Sequence, residues 1–440
     1  MKRCIKCVLL MMFTALLLSG CAMMTVEEMY LLPKHSDSYN NLQSAIDTAM
    51  TGLEYSAPLT GENQQNVQTA DLDGDGEPEY LLFAKGTEEK PLRILVFRLE
   101  EESWQLVTTV ACNGASFDLV EYVNMDGRPG MEIVVGRRLS DQVIRSVSVY
   151  TMEAQDMVQM ISVNYSKFLT VDLDGNGLGE LMVLRPGSAE AEHGVAELFA
   201  VRNNAVERYN EVPMSQPADK LKRIIVGRLD GGIPAVFTAS TVDDTAIITD
   251  IFTIRNDMLV NVAASKESGT SVQTMRNFYV YADDIDNDGV VELPSLITMK
   301  PLEGKQSADR HHLIRWYAMT PDGAEVDKMY TFHNFVGGWY VALDDAWASR
   351  ITVDTYANQY AFYLWNDAYK ETQKLFTVTA LTGQNREEQA VKDGGFVLLR
   401  TESTVYAATL EAAAQELGLT QERVIFSFRQ IQQDWKTGET

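Results

Sequence analysis

Three nine-residue stretches of this chain follow one pattern, D-x-D-x-[DN]-G-x-x-E. They are Asp71-Leu-Asp73-Gly-Asp75-Gly76-Glu77-Pro-Glu79, Asp172-Leu-Asp174-Gly-Asn176-Gly177-Leu178-Gly-Glu180 and Asp284-Ile-Asp286-Asn-Asp288-Gly289-Val290-Val-Glu292. Oxygen-bearing side chains at alternate positions, with a glycine that permits a sharp turn, wrap a hard cation in oxygen ligands. Bare acidic turns are the competing reading. A plain turn does not need so many carboxylates, whose like charges repel at short range. The expected ligands are the side chains at positions 1, 3, 5 and 9 and the carbonyl at position 7. That set comprises Asp71, Asp73, Asp75, Glu77 and Glu79; Asp172, Asp174, Asn176, Leu178 and Glu180; and Asp284, Asp286, Asp288, Val290 and Glu292.

An EF-hand begins the same way but closes with a bidentate Glu at position 12 between two helices. Position 12 here is Leu82, Val183 and Ser295. The flanks Tyr80-Leu-Leu-Phe83 and Leu181-Met-Val-Leu184 are short apolar runs of the kind that form buried strands. The sites are therefore expected on strand–loop–strand units, with about three calcium ions in a structural role. Two further copies are degraded. Asn124-Met-Asp126-Gly-Arg128-Pro-Gly-Met-Glu132 has a guanidinium at position 5, placed to pair with Asp126 and Glu132 in lieu of a cation. Arg228-Leu-Asp230-Gly-Gly-Ile-Pro-Ala-Val236 keeps only Asp230. Neither is expected to hold metal.

The five copies begin at Asp71, Asn124, Asp172, Arg228 and Asp284, so their spacings are 53, 48, 56 and 56 residues. Such a period marks a propeller, solenoid or array. In the first unit the expected strands are Val67–Ala70, Tyr80–Ala84, Leu92–Leu99 and Trp104–Val110, the last two joined by a turn at Glu100–Ser103. The third unit repeats them at Phe168–Val171, Leu181–Leu184, Val195–Val201 and from Val206, with a turn at Asn203-Asn204. Four antiparallel strands per unit make a propeller blade, and radial closure protects the sheet edges.

The repeat resembles the FG-GAP/VCBS family, the calcium-loop blades of integrin alpha subunits and many bacterial surface proteins, over about residues 60 to 335. The acidic loop carries the resemblance. The Phe-Gly and Gly-Ala-Pro signatures of integrin blades are absent, so integrin ligand binding is not implied. The fold class expected is mainly β. A propeller of about five four-stranded blades over 61–335 is followed by a small α+β domain over 336–440. In that domain strands are expected at Trp339–Leu343, Arg350–Val353, Tyr360–Leu364, Leu375–Ala380, Phe396–Leu399 and Thr404–Ala408. Helices are expected at Leu410–Leu417 and Gln421–Trp435, the second from the helical spacing of Val424, Phe428, Ile431 and Trp435.

The N-terminus has its own logic. Lys2, Arg3 and Lys6 precede an apolar run of eleven residues, Val8–Leu18, too short to span a bilayer. Leu18-Ser-Gly-Cys21 then resembles the bacterial lipobox, which implies a signal peptide over 1–20 and a lipidated Cys21. Residues 21–60 are expected to be a tether, with a short helix over Leu42–Leu53. The implied location is extracytoplasmic, on the bacterial surface, held to the membrane by the lipid anchor. Cys4 and Cys7 would leave with the leader, so only Cys21 and Cys112 would remain and no internal disulfide could form. Cys112 is expected to be a small buried residue. Losing Lys2, Arg3 and Lys6 moves the formal charge from −25 to −28. So acidic a surface excludes nucleic acid as a partner.

No catalytic constellation stands out. The sequence lacks G-x-S-x-G, H-E-x-x-H, a P-loop and G-x-G-x-x-G. His311 and His312 are adjacent on an expected strand and point to opposite faces. The expectation is a non-enzymatic, calcium-stabilised binding or adhesion scaffold for a protein or glycan. The alternative is an extracytoplasmic polysaccharide hydrolase or lyase.

Overall fold

The computed structural model describes residues 37–101, 103–139, 144–188, 193–202, 205–243, 245–278, 280–300, 302, 311–366 and 371–431. The leader, Cys21, the turn at Asn203-Asn204 and Trp435 lie outside them. Among the described residues the chain forms six antiparallel sheets of four or five strands, and no helix is long and apolar enough to cross a membrane.

The chain divides into two compact units. The first takes residues up to Ala57, Gln65–Ala70 and Pro78–Asn113, and the second takes the rest. The first unit holds the helix Asp37–Ala49 and a five-stranded sheet. Its strands are Glu54–Tyr55, Val67–Ala70, Glu79–Lys85, Leu92–Glu100 and Ser103–Cys112. The helix lays Leu42 and Ile46 on Leu82, Leu95 and Phe97, four residues apart on one helical face. Cys112 is buried and unbridged, as expected.

In the second unit four sheets follow as meanders. The second sheet comprises Ser116–Val123, Glu132–Arg138, Arg145–Glu153 and Asp156–Tyr165. The third comprises Lys167–Val171, Glu180–Pro186, Gly194–Arg202 and Ala205–Pro213. The fourth comprises Leu221–Arg228, Pro234–Val242, Ala246–Arg255 and Met258–Asn261. The fifth comprises Glu292–Thr298, His312–Met319, Glu325–Asn334 and Trp339–Leu343, with Phe428–Gln430 added at its edge.

Alternation along the strands explains how the sheets stack. On Glu180–Pro186, Leu181 and Val183 point into a core shared with the second sheet, beside Val134, Val147 and Val149. Met182 and Leu184 point the other way, into a core shared with Val236 and Phe252 of the fourth sheet. Phe237 and Ile251 of the fourth then meet Leu293 and Tyr317 of the fifth. A strand buried on both faces reads as a continuous apolar run, which is how the sequence presents it. Each such side chain contributes about 1.5–3 kcal/mol on burial. The fourth strands Asp156–Tyr165 and Ala205–Pro213 are mostly exposed at alternate residues.

The sixth sheet carries no acidic loop. Its order is Ile351–Tyr356, Gln359–Asn366, Glu371–Thr382, Thr404–Leu410, Phe396–Arg400, and it shares one aromatic core with the fifth through Phe332, Trp339, Phe362 and Phe376. Two expectations change here. Trp339–Leu343 pairs with Glu325–Asn334, so the boundary expected after residue 335 falls inside a sheet. The helix expected over Gln421–Trp435 ends at Ser427, and Phe428–Gln430 becomes a strand on Trp339–Val341. Val424 and Phe428 do reach one core. The backbone of Phe428–Gln430 instead satisfies an open sheet edge, which a helix would have left unpaired. The first helix of this region is shorter than expected, Ala412–Glu416.

Candidate metal centres

In each of the first five sheets the acidic segment immediately precedes a strand whose first residue is the glutamate or proline after the turn. The loops are built by their own side chains. In the second intact copy, Asp172 accepts the backbone N–H groups of Gly175 at 2.8 Å and Gly177 at 2.9 Å. Asp174 accepts from Asn176 at 3.1 Å, and Asn176 Oδ1 accepts from Leu178 at 2.7 Å. In the third copy Asp284 accepts from Asp288 and Gly289, Asp286 from Asp288, and Asp288 from Val290. The first copy repeats these bonds with Asp71 on Gly74 and Gly76, Asp73 on Asp75, and Asp75 on Glu77. The residue at position 6 has φ of 90°, 86° and 85° in Gly76, Gly177 and Gly289, a left-handed conformation that favours glycine.

These turns bring the carboxylates together. Ligand oxygens of Asp172, Asp174 and Glu180 lie within 4.8 Å of one another, as do those of Asp284, Asp286 and Glu292. Positions 1, 3 and 9 of these two loops therefore converge. The side chains at position 5 hold position 7 through its N–H, which fixes the backbone that would present the carbonyls of Glu77, Leu178 and Val290.

The closing glutamates decide whether the clusters fit a cation. One oxygen of Glu180 accepts the N–H of Leu173 at 2.7 Å, and one of Glu292 accepts that of Ile285 at 3.1 Å. The other oxygen of Glu292, Oε1, is buried and has no hydrogen-bond partner among the described residues. A buried carboxylate oxygen without a donor is costly, and a cation beside Asp284 and Asp286 would satisfy it. Burial, followed by the neighbouring aspartates, pushes Glu180 up to about 7 and Glu292 up to about 8. Asp286 is also raised, first by burial and then by Asp288. Such sites are short of positive charge. The residues present thus fit a hard divalent cation with oxygen ligands.

The degraded copies carry their own cations. Arg128 pairs with Asp126 at 2.5 Å, and its Nη2 donates to Thr151 at 3.2 Å. Thr151 in turn donates to Oε1 of Glu132 at 3.0 Å, while Met125 donates to Oε2 at 2.7 Å. The expected pairing of Arg128 with Asp126 is present, and Glu132 is reached through Thr151. The position-6 residue is Pro129, which has no N–H, and the left-handed turn moves to Gly130 at φ 101°. In the other degraded copy, Lys328 Nζ sits 2.8 Å from Asp230 and 3.8 Å from Asp288 of the third intact loop.

Several of these contacts come from residues outside the motif. Arg98, which follows the strand partner of Tyr80, pairs with the buried Glu79 at 3.3 Å. Thr151 follows the partner of Ile133, Ala200 follows the partner of Leu181, and Ala318 lies directly opposite Glu292. One position on the neighbouring strand thus reads Arg, Thr, Ala, Ala. Where it is Arg or Thr, its side chain reaches the closing glutamate.

No protein-family model and no curated protein matches the chain. Among solved structures it is similar to rhamnogalacturonan lyase PL11 of Bacillus licheniformis, at 11% identity and a TM-score of 0.30 over 73% of this chain and 89% of that one. It is similar to rhamnogalacturonan lyase YesW at 10% identity and a TM-score of 0.30, over 72% of this chain and 76% of that one. A protein from Lactobacillus plantarum aligns at 9% identity and a TM-score of 0.23, over 66% of this chain and 92% of that one. These likenesses are too slight for fold or activity to pass from those proteins to this one.

Proposed function

We propose that this chain is a calcium-stabilised β-propeller lipoprotein that works as an extracytoplasmic binding scaffold for a protein or glycan. The sheets carrying acidic loops are its blades, and FG-GAP/VCBS-type loops at Asp71, Asp172 and Asp284 hold the ions. Cys21 is the lipid anchor. The observation that carries the calcium reading is the buried, unpartnered Oε1 of Glu292 beside Asp284 and Asp286. The serial packing of the second to fifth sheets, each sharing one core with the next, supports the blade reading. The sites have a structural role, because their ligands are tied into turns that lead directly into a sheet strand.

Metal analysis of the purified protein tests this directly. About three calcium ions per chain are expected, bound at the intact loops alone. Five ions, or none after equilibration in several millimolar calcium, would refute the assignment. Mass spectrometry of the mature N-terminus tests the anchor, which requires a diacylated Cys21.

A further inference from the structure

A groove with a cavity volume of about 760 Å³ opens between the second and third sheets. That size lies in the range of small-molecule sites. Its floor is apolar, with Tyr165 and Phe199 both buried. Its rim is cationic: Arg145 comes from the second sheet, and Arg185 and Arg208 from the third. In a chain with a formal charge of −25, this is an unusual place.

Among the described residues, the ion pairs around the groove hold more guanidiniums than carboxylates. Glu197 is buried and accepts from Arg185 at 2.7 and 3.0 Å and from Arg208 at 2.6 Å. Glu211 also accepts from Nη2 of Arg185, at 3.0 Å. Asp118 is shared by Arg138 at 2.8 Å, Arg145 at 3.5 Å and the Tyr165 hydroxyl at 2.8 Å. Among the described residues, four guanidiniums therefore face three carboxylates in these ion pairs. Burial would raise Glu197, but the bonds from Arg185 and Arg208 hold it below its ordinary range. It is a fixed anion that positions two arginines. Among the described residues, Arg145 pairs loosely with an already occupied Asp118. Arg208 is half-exposed, and the nitrogen it commits to Glu197, Nη1, also lies 3.9 Å from Glu211. Guanidinium donors thus remain available at a concave, partly apolar surface, the arrangement that recognises a carboxylate bidentately.

We propose that this groove binds a carboxylate-bearing ligand of small-molecule size, held by Arg145 and Arg208 over the floor of Tyr165 and Phe199. The proposal deepens the scaffold reading, on which it rests, by naming the ligand chemistry. A uronate residue of a glycan and a free organic acid share that chemistry.

Titration calorimetry on the purified protein, at low salt and fixed free calcium, separates these sources. The probes are trigalacturonate, its fully methyl-esterified form and succinate. Trigalacturonate should bind at least about tenfold more tightly than its ester, because a charge-assisted hydrogen bond is lost on esterification. Arg145→Ala and Arg208→Ala should each weaken the acid about tenfold. Arg315→Ala, in an ion-pair cluster on the fifth sheet, should leave binding unchanged. Arg145→Ala is the safe variant for folding, given its loose contact, and its melting curve should match that of the parent. Trisaccharide binding stronger than succinate points to a glycan, and equal binding points to an organic acid; both support the proposal. Acid bound no better than ester overturns it, as does parent-like binding by both arginine variants. If the acid fails while calcium still raises the melting temperature, the groove assignment alone falls. If the calcium response fails, the scaffold reading falls and any acid binding stands apart from it.

Discussion

The loops at Asn124 and Asp284 have nearly the same skeleton and opposite electrostatics. Both lead into a strand that opens with the closing glutamate, and both tie one oxygen of that glutamate to the N–H of position 2, Met125 or Ile285. The second oxygen is where they part. On Glu132 it accepts from Thr151, and Arg128 neutralises Asp126. On Glu292 it has no hydrogen-bond partner among the described residues. One loop is completed by Arg128 within it and Thr151 from a neighbouring strand, and the other is a cage of carboxylates short of positive charge. A repeat can therefore keep its backbone and exchange an external cation for an internal one.

The largest test of this contrast is removal of the cation. Extracellular calcium modules bind at about 10⁻⁴–10⁻³ M, so millimolar calcium contributes about 0.4–1.4 kcal/mol per site. Three sites give about 1–4 kcal/mol, against a typical total of about 5–15 kcal/mol. Melting temperature should rise with calcium and fall with chelator. Magnesium should substitute poorly, since it demands a tighter octahedron. Replacing Asp73, Asp174 and Asp286 together with Ala should abolish the response. Melts that do not move between excess chelator and several millimolar calcium would sink the calcium reading.

Removal of the internal cation comes next. Arg128→Ala leaves Asp126 and the buried Glu132 without compensation. Breaking a buried pair costs about 3–5 kcal/mol. The Arg128 side chain is 44% exposed, so solvent screening reduces this to about 1–2 kcal/mol. Arg128→Asp alone should not create a calcium site, because Pro129 has no N–H to offer position 1. Asn124→Asp, Arg128→Asp and Pro129→Gly combined should add one bound calcium. A fourth ion with Arg128→Asp alone would show that the position-6 N–H is dispensable.

The pH dependence is a smaller effect of the same charge shortage. Glu180 and Glu292 are raised from 4.5 to about 7 and about 8 in the metal-free fold. The folded chain then binds protons more tightly than the unfolded one. These groups favour the fold fully below about pH 4.5, and that contribution is lost as pH rises through about 7 to 8. Calcium needs the ionised carboxylates. Without metal, stability should therefore fall over this window, and the increment in melting temperature given by calcium should grow. A calcium increment that shrinks from pH 5.5 to pH 8 would contradict the assigned protonation.

The sequence shows the intact cages well, because their residues are local: nine consecutive positions make the turn and bring three carboxylates together. The internal cation Arg128 was legible for the same reason. Thr151, Arg98 and Lys328 were not, since each arrives from another strand and its alignment depends on pairing register. The helix read through to Trp435 failed similarly. The apolar spacing of Val424 and Phe428 correctly marks a shared core, but the open edge at Trp339–Val341 sets the backbone of Phe428–Gln430. The arginine groove is also assembled from separate strands, and no local pattern announces it.

The finest test moves one atom across a strand. Ala318 lies opposite Glu292 and is fully buried. Ala318→Ser would place a hydroxyl near the position from which Thr151 serves Glu132, with less added bulk than threonine. A donor there would occupy Oε1 of Glu292 in the metal-free state and make the cage less dependent on an ion. A net hydrogen bond contributes about 0.5–1.5 kcal/mol, so calcium affinity at this loop should fall about two- to tenfold. The metal-free melting temperature should hold or rise, while the calcium-induced increment shrinks. Ala200→Ser is the paired variant at the loop of Asp172, where Glu180 also accepts the Asp174 N–H, so the fall in affinity there should be smaller. Calorimetric titration on both variants reads the affinities. Unchanged affinity in both would show that the residue across the strand does not decide between an open loop and a filled one. Tighter binding would show that the hydroxyl joins the ion as a ligand. In either case the distinction between the two kinds of loop would rest on Arg128 and Pro129 alone.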